Sequence, residues 1–252
     1  MALSGDQPSD TRADRPSVLL LAAGSGERLG RGAPKAFVPL GGRPMLWWSL
    51  QAIGASGVLD PVVLVVPEGR EGEGQKLAAA ALEGCHVSVS VVTGGDSRQE
   101  SVRRGIEALP STATHVLCHD AARPLATPEL FRVVASALAR DGVVGVVPVL
   151  PVSDTVKRIR GDRVVETVGP REQLGLAQTP QGFVVSALLA AHRQAVAARM
   201  EATDDAMLLE QAGHRVDAVP GERSNLKVTT AEDLLQAELM MRKLSSQPHG
   251  WA

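Results

Sequence analysis

Short apolar runs alternate with amphipathic stretches along most of this chain. The runs at 17–23, 61–66, 86–92, 115–119, 143–149 and 215–219 are rich in Val and Leu, and their length predicts strands. Between them, 44–56, 71–82, 97–108, 128–140, 184–198, 204–212 and 230–243 space their apolar residues as helices do. Runs of this kind are apolar on both faces, so the sheet they build must be covered on both sides. The predicted fold class is α/β, a Rossmann-like, mostly parallel sheet with helices on both faces. Ligands then sit outside the carboxyl ends of the strands.

Residues 151–171 break the alternation. Pro151 to Ile159 alternates, Arg160-Gly161-Asp162-Arg163 has turn character, and Val164 to Val168 returns. This predicts a protruding, charged β-hairpin arm. It has too little apolar content to stand alone, so a homodimer gripping the arm is expected. Residues 1–16 are polar and are expected to form a disordered tail, as are 244–252; one domain is expected over 17–243.

Composition narrows the function. The chain has 252 residues and is 44% hydrophobic, ample for a core, with three Trp, three Phe and no Tyr. So few aromatics argue against base-stacking platforms for single-stranded nucleic acid. A net charge of −2 without any basic run argues against a nucleic-acid partner. Cys85 and Cys118 are far apart, which disfavours disulfides and metal clusters and fits a reducing, cytoplasmic setting. No apolar run has the length of a membrane span, and no signal peptide is evident.

The chemistry concentrates where strands are expected to end. After the first run come Ala22-Ala23-Gly24-Ser25-Gly26, then Arg28 and Pro34-Lys35. A bare backbone turn beside two cations suits a nucleoside triphosphate. The spacing fits neither a dinucleotide fingerprint nor a Walker A loop, since Gly30 falls one place late and Ala36 follows Lys35. The same residues also read as an ordinary glycine turn with two solvated cations. Gly94-Gly95-Asp96 follows another run, and Ser97 to Glu100 is a capping box; that helix start can also face a base or phosphate. At His119-Asp120-Ala121-Ala122-Arg123, the Asp can hold Mg²⁺ or a ribose hydroxyl and the Arg a phosphate. The alternative there is an internal Asp–Arg ion pair. His119 reads as a general acid or as a merely hydrogen-bonded histidine. Thr203-Asp204-Asp205-Ala206 reads as a metal site or as a Thr N-cap followed by two acids. Lys227 reads as a solvated lysine or a functional cation, ahead of a helix capped by Thr230 to Asp233.

Eight motifs occur in one order: Ala-Ala-Gly-x-Gly-x-Arg, Pro-Lys, Gly-Gly-x-x-Arg-x-x-Ser-Val, His-Asp-Ala-Ala-Arg, Asp-Thr-Val-Lys, Gln-Thr-Pro-Gln, Thr-Asp-Asp-Ala and Asn-Leu-Lys-Val-Thr. Together they closely resemble the 2-C-methyl-D-erythritol 4-phosphate cytidylyltransferases of the non-mevalonate isoprenoid pathway, over about residues 17–243. The resemblance implies CMP transfer from CTP to the sugar-alcohol phosphate, with release of pyrophosphate. It implies that Ala22, Ala23, Gly24 and Gly26 line the CTP site. Gly95, Asp96 and Ser101 would meet cytosine and ribose, with Asp120 and Ala121 nearby. Arg28, Lys35 and Lys227 would be the catalytic cations around the reacting phosphates. Arg123, Thr155, Arg171, Thr179 and Thr203 would hold the acceptor, Thr155 and Arg171 reaching toward a neighbouring subunit's site. Mg²⁺ would be carried mainly by the CTP phosphates, with Asp120 as a further ligand. The chain departs from the family at Leu21, often Pro; at Ala36, often Gln; and at Ser224, where some members have Asp. No second domain for the next pathway step fits this length. Two other readings stay open: a cytidylyltransferase for another acceptor such as ribitol 5-phosphate, and a non-catalytic nucleotide-binding module. Against the module stand Arg28, Lys35 and Lys227, since a binder has no need of cations on the transferring phosphorus.

Overall fold

The computed structural model describes residues 15–24, 26 and 32–245. The expected tails fall almost wholly outside this range. In chain order the elements are β1 (Ser17–Leu21), β2 (Pro39–Leu40), β3 (Arg43–Pro44), α1 (Met45–Ser56), β4 (Val62–Val66), α2 (Glu71–Ala81), β5 (Val89–Thr93), α3 (Arg98–Glu107), β6 (His115–Asp120) and α4 (Pro128–Leu138). There follow β7 (Gly145–Pro151), β8 (Lys157–Arg160), β9 (Arg163–Thr167), β10 (Gly175–Ala177), β11 (Gln181–Val184), α5 (Val185–Ala198), α6 (Asp205–Gln211), β12 (Val216–Pro220) and α7 (Ala231–Ser245).

β5, β4, β1 and β6 run parallel and side by side. β11 then pairs antiparallel with both β6 and β7. Val149 of β7 pairs with Ala177 of β10 and with Pro220 of β12. One residue has two flanks, so β12 lies along the edge of β7 opposite β10 and β11, and parallel to it. The sheet is mostly parallel, as the apolar runs predict.

Alternation within the strands divides the core. Val18, Leu20, Val62 and Leu64 face α1, α2 and α4 through Leu50, Ile53, Ala78, Phe131 and Val134. Leu19, Leu21, Val63 and Val65 face α3, α5 and α6 through Val102, Ile106, Leu188 and Leu209. Each face buries a continuous apolar layer, so neither is left for solvent. A smaller cluster places α7 against β2 and the start of α1, through Leu234 and Ala237 with Leu40 and Met45.

Three sequence expectations are corrected here. The run at 86–92 becomes a strand only from Val89. The run at 17–23 leaves the strand after Leu21, which turns Ala22 and Ala23 into loop. The short strands β2, β3, β10 and β11 have no counterpart among the predicted runs; β11 reads Gln-Gly-Phe-Val, too short and mixed for a period. The hairpin arm is present: β8 pairs antiparallel with β9 across Gly161-Asp162. Every residue of both strands is exposed.

Candidate active site

The residues just beyond β1, β5 and β6 are stitched to neighbouring strands. Ala22 N–H donates to the Val65 carbonyl at 2.7 Å, Gly94 N–H to Val66 at 2.8 Å, and Ala121 N–H to Leu21 at 3.0 Å. Three loops therefore gather on one edge of the sheet. Ala22 and Ala121 are buried and their N–H groups are used in this stitching. They form the floor of that edge.

The glycine turn doubles back, so that Lys35 N–H donates to the Gly24 carbonyl at 3.3 Å. Gly26 has φ +75°, and a Cβ there would lie 2.8 Å from Lys35 N. Only glycine brings the two segments this close. Lys35 is thereby held beside Ala23, Gly24 and Gly26, in a 3-10 turn over Lys35–Phe37. Arg28 lies outside the described residues.

The second loop is equally tight. A Cβ on Gly94 would come within 2.4 Å of the Ala23 side chain and 2.9 Å of Ser101 Oγ. Ser101 is buried; its hydroxyl accepts from Gly95 N–H at 3.1 Å and donates to the Ser97 carbonyl at 2.9 Å. It braces the turn that presents Gly95 and the exposed Asp96. The N-cap half of the capping box is present, Ser97 Oγ accepting from Glu100 N–H at 3.0 Å, while Glu100 Oε2 accepts from the N–H of Asp96, one residue before the cap, at 3.0 Å.

The third loop holds the electrostatic centre. Asp120 Oδ2 accepts from Lys227 Nζ at 2.6 Å, and Oδ1 from Arg98 Nε at 3.2 Å. Burial would push the Asp120 carboxyl up, but Arg98 and Lys227 outweigh it and hold the group well below the usual carboxylate range. Arg98 reaches a second acid: its Nη1 lies 2.8 Å from Asp205 Oδ2. Asp205 is fully buried, and its Oδ1 meets His192 Nε2 at 3.2 Å. Here too burial raises the carboxyl, and Arg98 and His192 lower it by more. Burial disfavours the charged Arg98, but Asp205 and Asp120 together raise its pKa above the ordinary arginine value. Sequence reasoning gave Arg98 and His192 no site role and read Asp205 as a metal ligand or a helix-start acid; it missed the Arg98–Asp205 pair, and it missed that Lys227 pairs with Asp120 across 107 positions. Val228 N–H donates to the Ala122 carbonyl at 2.8 Å, which lays the Lys227 segment on the Asp120 loop. The Thr230–Asp233 cap then starts α7, with Asp233 accepting from Thr230 N–H at 2.9 Å.

The expected Asp–Arg alternative is corrected. Arg123 makes no ion pair with Asp120; its guanidinium donates to the carbonyls of Asn225 at 2.8 Å and Ala177 at 3.3 Å. Thr179 turns its hydroxyl inward, accepting from Asp120 N–H at 3.1 Å and meeting His119 Nδ1 at 3.0 Å. His119 is fully buried, and burial pushes its pKa down to about 4. It is a neutral brace, not a general acid. Thr203 is not the N-cap of α6. That cap is Asp204, whose carboxylate accepts from Met207 N–H at 3.0 Å, while Thr203 is exposed beside it. Thr155 and Arg171 lie at the base of the arm, with Arg171 donating to the Ser153 carbonyl at 3.1 Å and pairing with Glu172 at 3.1 Å. Neither joins the Asp120 network within this chain. A cavity of about 710 Å³ between α3 and α5 lies where β6 begins, opposite the loops, and holds none of the predicted site residues.

Among the described residues no cluster of three His, Cys, Asp or Glu side chains could hold a metal ion. Both oxygens of Asp120 are taken by cations. The residues present therefore do not fit a resident metal.

The pattern of the IspD family, 2-C-methyl-D-erythritol 4-phosphate cytidylyltransferase, matches residues 17–243. The enzyme of that name from Gloeobacter violaceus is 45% identical over 226 residues, 89% of this chain and 95% of that protein. A bifunctional IspD/IspF enzyme from Clavibacter michiganensis is 44% identical over 92% of this chain and 56% of its own length. Among solved structures, the cytidylyltransferase from Thermus thermophilus is 36% identical with TM-score 0.72, covering 89% of this chain and 98% of that one. The 4-diphosphocytidyl-2C-methyl-D-erythritol synthase of Anaerococcus prevotii is 29% identical with TM-score 0.80, covering 92% and 98%. Matched by the family pattern over residues 17–243 and 45% identical to a relative over nearly all of both lengths, this chain belongs to the IspD family.

Proposed function

We propose that this chain transfers CMP from CTP to 2-C-methyl-D-erythritol 4-phosphate, releasing pyrophosphate and giving CDP-methylerythritol for isoprenoid precursor synthesis. The observation that carries the reading is that Lys35, tied to Gly24, and Lys227, held on Asp120, belong to loops at the carboxyl ends of the adjacent strands β1 and β6. The acceptor phosphate attacks the α-phosphorus in line. Its second pKa is near ~6, so it is largely dianionic at neutral pH and needs no general base. A site whose nearest histidine is a buried neutral brace suits that chemistry.

The barrier is bringing anions together. Like unit charges ~4 Å apart repel by ~4 kcal/mol at an effective dielectric of ~20. Lys35, Lys227 and Arg28 offset that repulsion and stabilise charge on the equatorial oxygens. Mg²⁺ enters with the substrate as Mg·CTP. The N–H groups of Gly95 and Asp96 are bonded to Ser101 and Glu100, so the carbonyls of this turn accept from the pyrimidine amino edge, and Arg123, Thr179 and Thr203 flank the acceptor.

The working unit in this reading is a homodimer built on the arm. Ile159 and Val164 face each other across β8 and β9 and are 65% and 63% exposed; Leu176 is 57% exposed. An apolar pair left in solvent on a two-stranded ribbon supports a partner covering it. Thr155 and Arg171 at the arm's base then serve the partner's acceptor site. The free cysteines Cys85 and Cys118 support a cytoplasmic location. No helix among the described residues is long and apolar enough to cross a membrane.

The test is pyrophosphate release from Mg·CTP with a panel of acceptors. Turnover with methylerythritol phosphate, well ahead of ribitol 5-phosphate, is expected, as is preference for CTP over ATP, GTP and UTP. Equal use of ATP, or the absence of release with every acceptor, would refute the reading.

A further inference from the structure

Four charged groups alternate in sign from the interior to the edge of the site: Asp205, Arg98, Asp120 and Lys227. Side-chain exposure rises along the series at its ends, from 1% at Asp205 to 42% at Lys227. The two cations on Asp120 are not equivalent. Arg98 is anchored from behind by Asp205, which is itself held by the buried His192. Moving Arg98 would strip a fully buried carboxylate of its counter-ion, a costly change. Among the described residues Lys227 pairs with one carboxylate, on a flexible four-carbon stem.

We propose that Arg98 is the standing counter-ion of Asp120, a positioning residue that lets Lys227 leave that carboxylate for the phosphates of bound nucleotide. With Arg98 in place, Asp120 stays paired after the ammonium departs. Without Arg98, departure would leave a largely buried carboxylate bare, so Lys227 stays on Asp120. The rigid cation is thus the one with two partners, and the mobile cation the one with one. The inference rests on the proposed CMP transfer for its catalytic consequence, while its physical core can be read without turnover.

The experiment uses the full chain and two readouts. In turnover, Arg98→Ala should lower kcat roughly ten- to hundredfold while leaving KM for CTP nearly unchanged, as expected for a misplaced catalytic group. In the substrate-free protein, acylation of Lys227 by dilute acetic anhydride is followed by peptide mass spectrometry. Arg98→Ala should slow it about twofold or more, because the ammonium is then held by a carboxylate it no longer shares. Adding Asp120→Asn should restore the rate. Arg98→Lys keeps one point charge but cannot bridge both acids, so it should fall between, and it covers the case of an alanine variant that does not fold. A merely structural role predicts the reverse, a loosened segment and faster acylation. Unchanged or faster acylation in both Arg98 variants overturns the inference whatever happens to turnover. Slowed acylation in a chain whose wild type transfers no CMP would uphold the coupling and overturn the assigned reaction.

Discussion

His119 offers the sharpest test of how this site is built. Its ring is fully buried and meets Phe131 edge-on at 5.0 Å between centroids. Nδ1 faces the Thr179 hydroxyl at 3.0 Å, and Nε2 has no partner. Protonation would put a charge into this apolar pocket, and burial lowers the pKa from 6.5 to about 4. The unfolded chain therefore binds one more proton than the folded chain between those two values. Stability is full above about pH 6.5 and falls as pH drops toward 4. At ~1.4 kcal/mol per unit of displacement, the loss comes to about 3 kcal/mol. Asp120 and Asp205 act in a different window: their lowered pKa values give stability that is lost only below the ordinary aspartate value of 3.8. Urea unfolding at fixed protein concentration, followed by tryptophan fluorescence from pH 7 to 4.5, should show the decline. His119→Gln or His119→Leu should be less stable at pH 7 yet nearly flat across the same range. A variant that declines as steeply as wild type would refute the assignment of His119 as a buried neutral brace.

Lys35→Ala should lower kcat by ~10²–10³ with little change in melting temperature, since one preorganised cation is lost from a loop; near-wild-type kcat would show that the loop only binds. Arg171→Ala should raise KM for the sugar phosphate far more than for CTP. Mixing it with Lys35→Ala chains should restore activity once subunits exchange, because a shared site leaves one intact site per heterodimer. No recovery after confirmed exchange would assign Arg171 to its own chain. Gly94→Ala drives a Cβ to 2.4 Å from the Ala23 side chain, so about 1–3 kcal/mol of stability should be lost as the turn shifts. CTP affinity by calorimetry should fall with it, and unchanged affinity would mean that this turn does not shape the nucleotide site.

Local signals were legible in the sequence because their physics is local. The Val and Leu runs specify strands apolar on both faces, and from them the covered, mostly parallel sheet. Capping at Ser97–Glu100 and Thr230–Asp233 needs only three residues of spacing. The Arg160–Arg163 turn follows from Gly161 at φ +62° between alternating segments. Thr203 shows the limit even there: Thr, Asp and Asp in a row can each cap a helix, and only the backbone decides that Asp204 does. Long-range pairings were left to the tertiary structure. β11 is a four-residue strand without a period, and the open edges of β6 and β7 recruit it. Arg98 read as a helix-start residue and Lys227 as a lysine before a cap. They share Asp120 only because β6 ends between α3 and the Lys227 segment. Periodicity states which face of an element is apolar; which distant charge neutralises a buried one is fixed when the elements pack, by the need to pair every charge taken out of water.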